Sequence, residues 1–109
     1  MKSQSVRIDF DSIPWQRVFG GGRFGRSKAW EQRGTRIRIL EFSPKWQEEK
    51  WCNLGHAGYV LNGTLVLTFR SPKQKRVKVL KGEGFSIPEG LEHKAACTTV
   101  TRAFIVDKT

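Results

Sequence analysis

Short runs of β-branched and aromatic residues, cut at close intervals by glycine, proline and asparagine, fill most of this chain. Thr35 to Phe42 reads T-R-I-R-I-L-E-F, with Ile37 and Ile39 pointing one way and Arg36, Arg38 and Leu40 the other, until Ser43-Pro44 breaks it. Tyr59 to Leu61 and Thr64 to Phe69 flank Asn62-Gly63, a dipeptide that predicts a tight hairpin. Ser71 to Gln74 is a second turn. After it, Arg76 to Leu80 alternates, so that Val77 and Val79 are expected inside with Arg76 and Lys78 in water. Phe85-Ser86-Ile87 leads into the turn Pro88-Glu89-Gly90, and Thr98 to Val106 supplies a closing apolar run. No amphipathic stretch is long enough for a helix, and Gly55, Gly58 and Gly63 oppose one in the middle of the chain. Many short strands with regular turns imply an all-β barrel or sandwich.

The first part of the chain is less regular. Residues 3–10 alternate weakly, with Val6, Ile8 and Phe10 on one face, which predicts a short strand at an edge or exchanged with a neighbouring subunit. Between Asp11 and Gly34 lie two tryptophans, four arginines and the triplet Gly20-Gly21-Gly22. The triplet reads as a flexible turn, because the Lys-Ser/Thr of a phosphate-binding loop is missing. Residues 1–34 are thus expected as a strand and an Arg/Gly-rich loop packed on a barrel formed by residues 35–109, in one domain overall. A chain of 109 residues builds such a core without staples.

No run approaches the length that spans a bilayer, and the N-terminus lacks the apolar core of a signal peptide. A cytoplasmic location with no membrane contact and with both cysteines reduced is the expectation. The 20 Lys plus Arg against 10 Asp plus Glu leave a net charge of +10, which favours anionic partners. Without a recognised nucleic-acid motif, the expected partner is a small anionic molecule rather than nucleic acid.

Two segments concentrate the chemistry. Gly82, Pro88, Gly90 and His93 have the spacing of glycine, five residues, Pro-x-Gly, two residues, histidine, and this resembles the second motif of the cupin superfamily. Cys97 stands where that family usually has asparagine. Tyr59-Val60-Leu61-Asn62-Gly63 is similar to the hairpin that ends the first cupin motif, which places Lys50 and Cys52 at the two usual histidine positions and His56 at the glutamate position. Trp51-Cys52-x-x-Gly55-His56 further resembles a small subgroup of single-domain cupins with an Asp-His-Trp-Cys signature, from which Lys50 departs by replacing histidine. The resemblance covers roughly Thr35 to Val106. It implies a double-stranded β-helix, or jelly-roll barrel, that pairs as a homodimer; a fold of this kind selects no chemistry by itself.

On the interior of such a barrel, Cys52, His56 and His93 would converge as three ligands with one position left open. A thiolate and two imidazoles suit a divalent transition metal such as Zn, Fe, Ni or Cu. Buried cysteine is commonly a small apolar residue, the reading given to Cys97, and a satisfied core histidine competes with each imidazole ligand. Lys50 would direct a charge at an anionic ligand, helped by Arg36 or Arg38, while Trp46, Trp51, Tyr59 and Phe85 would line the mouth, with plain core as the competing reading for these aromatics. Glu48 and Glu49 precede the site and Glu92 should point outward, so no general base is evident, the catalytic residues are unassigned and enzyme activity is left open. Two other functions compete: a metal-free ligand-binding or sensing cupin, and a basic polyanion or nucleic-acid binder using the Arg-rich region 17–38.

Overall fold

The computed structural model describes residues 6–73 and 76–109. Among them are nine strands and no α-helix: β1 (Gln16–Gly20), β2 (Arg23–Gln32), β3 (Thr35–Phe42), β4 (His56–Asn62), β5 (Thr64–Phe69), β6 (Arg76–Leu80), β7 (Gly84–Ile87), β8 (His93–Ala96) and β9 (Thr101–Lys108). They form a six-stranded sheet in the order β1-β2-β3-β9-β4-β7 and a three-stranded sheet in the order β6-β5-β8, with every pair antiparallel. The all-β jelly-roll expected from the sequence is what forms.

Alternation decides which face of each strand turns inward. In β9, Thr101, Ala103, Ile105 and Asp107 are buried while Arg102 and Lys108 are exposed. In β5, Leu65, Leu67 and Phe69 join Leu40, Phe42, Val60, Val79 and Ala103 in one core between the sheets. Val77 and Val79 point inward as expected, with Arg76 and Lys78 exposed.

Three expectations are corrected. Residues 6–10 form no strand: Asp9 caps a single 3-10 turn, Phe10–Ser12, its carboxylate accepting from the Asp11 N–H. Residues 3–5 lie outside the described part. The region 11–34 is not a loop packed on the barrel but the hairpin β1–β2, which extends the larger sheet. Trp46 holds it there, donating its indole N–H to Val18 O at 3.0 Å and stacking on Phe42 at 4.0 Å. Asn62-Gly63, finally, is not a hairpin. β4 pairs with β7 and β9, whereas β5 pairs with β6 and β8, so the dipeptide carries the chain from one sheet to the other. Thr101 decides this outcome: its hydroxyl accepts from the Thr64 N–H and donates to Thr64 O, holding the crossover against β9.

At that crossover Gly63 has φ +77, and a Cβ there would sit 2.3 Å from Val100 O and 2.5 Å from Thr101 Oγ1. Gly63→Ala is therefore expected to cost more than the roughly 1–3 kcal/mol of left-handed strain alone. Gly90→Ala, at φ +90 with nothing within 4 Å, should cost only that strain. Urea denaturation of both variants checks the difference; equal costs would show that the crossover is not close-packed.

Candidate metal centre

Cys52 and His93 face each other as an isolated antiparallel bridge. The N–H of each donates to the carbonyl of the other, both at 2.9 Å. Such a reciprocal pair aims both side chains to the same face. Cys52 precedes the loop Asn53 to Gly55, which is tied to the turn after β7 by the Gly90 N–H donating to Asn53 O at 2.9 Å. The chain then enters β4 at His56. The ligating atoms of Cys52, His56 and His93 all lie within 4.8 Å of one another. Cys52 Sγ is 3.5 Å from His56 Nε2, and the imidazole rings meet edge-on with centroids 5.1 Å apart.

Only one of the two histidines is held from behind by a hydrogen bond. His93 Nδ1 is 2.9 Å from Leu91 O. A carbonyl only accepts, so the proton sits on Nδ1 and the lone pair of Nε2 is left for the cavity. His56 Nδ1 lies 3.8 Å from Asp107 Oδ1, too long for a hydrogen bond, and has no partner among the described residues. Burial first, then the nearby Arg38 charge, lower the His56 pKa from 6.5 to about 4, so the ring is neutral at physiological pH.

Asp107 is fully buried and gathers two guanidiniums from β3. Arg36 donates through Nε at 2.8 Å to Oδ2, and Arg38 through Nη2 at 3.2 Å to Oδ1. One carboxylate thus serves two cations. The Arg38 Nε is buried without a partner among the described residues, and burial pushes its guanidinium below the usual value even though Asp107 opposes the shift.

Beside this cluster lies a cavity of about 380 Å³, which both imidazoles and Arg38 line. Its polar wall contains Arg38, His56, His93 and Glu48; its apolar wall contains Leu65, Leu67, Phe85, Ile87 and Ile105. Lys50 and Glu49 are exposed at the rim. Phe85, Trp46 and Lys50 line this cavity. Trp51 and Tyr59 do not line this cavity: Trp51 packs on the outside against Lys94, 4.7 Å from the ring centroid, and Tyr59 is 46% exposed. Cys97 faces the core, its thiol donating to Ser43 O at 3.3 Å, and burial raises its pKa.

Sequence reasoning placed Glu48 before the site and gave it no role, yet it lines the cavity. One oxygen accepts from the Ala95 N–H at 2.8 Å, and burial pushes the carboxyl above its usual range despite that bond. The Glu48 N–H in turn donates to Ala95 O at 2.9 Å, and the Cys97 N–H to Trp46 O at 3.0 Å. Residues 46–52 thus run beside β8 like a further strand, and this pairing turns Glu48 inward. The signal available was parity: Glu48, Lys50 and Cys52 share a side in an extended chain.

No family model matches the sequence, and no curated protein does. Solved structures do. A variant of the oxalate decarboxylase of Bacillus subtilis superposes with a TM-score of 0.79 at 14% identity over 99% of this chain and 30% of that one. The EutQ protein of Clostridium difficile gives 0.73 at 17% identity, covering 94% of this chain and 85% of that one. A cupin superfamily protein of Desulfitobacterium hafniense gives 0.67 at 15%, covering 77% and 76%. The chain spans less than a third of the oxalate decarboxylase. These neighbours are cupin-superfamily proteins, and the chain has the cupin fold.

In metal-stripped protein, the folded-state pKa of His56 lies below its unfolded value, so the unfolded chain binds the extra proton first as pH falls. The contribution of His56 to stability is complete above about pH 6.5 and is lost as pH falls towards about 4. NMR titration of the ring should give a midpoint near 4; a midpoint near 6.5 would contradict the buried setting. Asp107→Asn strands two guanidiniums and should cost about 3–5 kcal/mol in thermal or urea unfolding.

Proposed function

We propose, with the cupin barrel as premise, that the cavity holds a divalent transition metal on Cys52, His56 and His93 and a small anionic ligand beside it. The observation that carries this reading is the convergence of one sulfur and two ring nitrogens within 4.8 Å, with both imidazoles on the wall of a cavity. The donors fit such an ion. With Nε2 of His56 on the metal, its proton sits on Nδ1, and Asp107 is the acceptor that the orphaned atom now lacks. The thiolate and two neutral imidazoles suit Zn, Fe, Ni or Cu. A bound divalent metal supplies Lewis acidity towards an oxygen placed on it.

The protein's own groups define the ligand. Arg38 carries an unused Nε–H and shares Asp107 with Arg36, so it keeps a donor for an anion even with Glu48 in the same wall. A carboxylate is the matching group. The apolar wall of Leu65, Leu67, Phe85, Ile87 and Ile105 accommodates a compact apolar body attached to it. Glu48, with one oxygen fixed by Ala95, is placed to hold or accept a proton at the other. Lys50 at the rim draws anions inward. The same reading puts the protein in a reducing cytoplasm, where Cys52 stays a thiol, and pairs it as a homodimer.

A second reading, a metal-free binding or sensing cupin, is favoured by one observation: Lys50 and Cys52 stand where the cupin motif has histidines. Metal analysis separates the two. After expression in metal-supplemented medium, about one equivalent of transition metal is expected, and Cys52→Ser or His93→Ala should weaken binding by more than the roughly 100-fold typical of outer-shell changes. Less than about 0.2 equivalents in the wild type, with no uptake in titration, supports the metal-free reading. Arg38→Met should retain the metal and lose at least about tenfold in affinity for small aromatic or aliphatic carboxylates, by calorimetry.

A further inference from the structure

The cavity lining sets Arg38 and Lys50 against Glu48 and Glu49, so the net charge of +10 lies elsewhere, and the outer face of the smaller sheet collects a share of it. Inward residues of β5 and β8, including Leu65, Leu67, His93 and Ala95, line the cavity, so their neighbours Thr68, Lys94 and Ala96 face outward. On β6 the outward residues are Arg76 and Lys78, both exposed. Register sets them in rows: Lys94 opposes Thr68, which opposes Arg76, while Ala96 opposes Val66, which opposes Lys78. Trp51 extends the first row beside Lys94, and Arg70 follows Thr68 along the chain. The Lys94 ammonium lies 4.7 Å and the Arg70 guanidinium 5.9 Å from the indole centroid. Glu92 forms an ion pair with one of these cations, 3.6 Å from Arg70.

We propose that this face binds single-stranded nucleic acid, with Trp51 as a stacking platform and Lys94, Arg70, Arg76 and Lys78 on the phosphates. Residues two apart on a strand are about 7 Å apart and strands two apart are about 10 Å apart, so the cations form a grid rather than a point. A flat grid of cations beside one indole meets a strand whose bases are splayed and whose backbone is extended. It does not fit the groove of a duplex, which admits a helix or a two-stranded ribbon. A small anion would use one or two of these groups and leave the rest idle. The site is separate from the cavity, since these side chains lie on the opposite face of the sheet, and it stands whether or not the cavity holds a metal.

The test is fluorescence anisotropy with labelled 15-nucleotide oligo-dT and oligo-U at low salt. Wild-type protein should bind both more tightly than a duplex of the same length. The log–log salt slope should be about −3, as expected for four phosphate contacts on a single strand. Arg76→Glu/Lys78→Glu should lose at least about tenfold in affinity, and the milder Arg76→Gln/Lys78→Gln should reduce the slope by about 1.4. Arg17→Glu/Arg23→Glu removes the same charge from the exposed β1–β2 hairpin and should change affinity by less than about threefold. Tryptophan fluorescence should be quenched on binding in the wild type but not in Trp51→Phe, and Trp51→Ala should lose roughly tenfold. Equal losses for the two charge-reversed pairs would reduce the effect to net charge and overturn the proposal. So would the absence of binding, tighter binding to duplex, or equal competition by polyglutamate, which would point to an acidic protein instead.

Discussion

Two backbone hydrogen bonds, exchanged between Cys52 and His93, bring together the parts of the chain that carry its chemistry. They make residues 46–52 run along the open edge of β8, which fixes three inward side chains at once: Trp46 against the hairpin, Glu48 in the cavity wall and Cys52 beside His93. The short loop that follows is pinned by Gly90, so that β4 begins with His56 at the same wall. None of the three candidate ligands is held by a long flexible connection. Each sits on or next to a paired strand, and rigid elements of this kind hold a ligand set to close tolerance.

The electrostatics behind that wall serve the same end. Asp107 is buried, and Arg36 and Arg38 pair with it from β3. Together with burial, those cations keep His56 neutral, and neutral imidazole is the form that ligates metal. The pairing is uneven in its effect: one carboxylate serves two guanidiniums, and the Arg38 Nε is left buried without a partner among the described residues.

Much of this was legible in the residues. The period-two runs gave the strands from Thr35 onward, and Gly82, Pro88, Gly90 and His93 indicated the jelly-roll through their resemblance to the second cupin motif. Cys52, His56 and His93 were singled out, and they converge. What escaped was long-range in origin. Asn62-Gly63 has the local chemistry of a hairpin, but Thr101, 37 residues from Thr64, redirects the chain between sheets. The β1–β2 hairpin was hidden because its stabilising partner, Trp46, lies far along the sequence. Arg36 and Arg38 gave an alternation with no indication of which face was inside, since charged residues are rarely buried and Asp107 was not known to await them. Glu48 and Trp51 were misjudged for a related reason: only the pairing of residues 46–52 with β8 determines which of them faces the cavity.

The central claim is that two distant stretches of backbone set one thiol and two imidazoles around a single ion. Crystals grown with a divalent transition metal, with diffraction collected above and below its absorption edge, test it most directly. The account predicts one anomalous peak in the cavity, about 2.3 Å from Cys52 Sγ and about 2.0–2.1 Å from Nε2 of both His56 and His93. A cavity with no peak, or a metal bound elsewhere with these three side chains unligated, would contradict it.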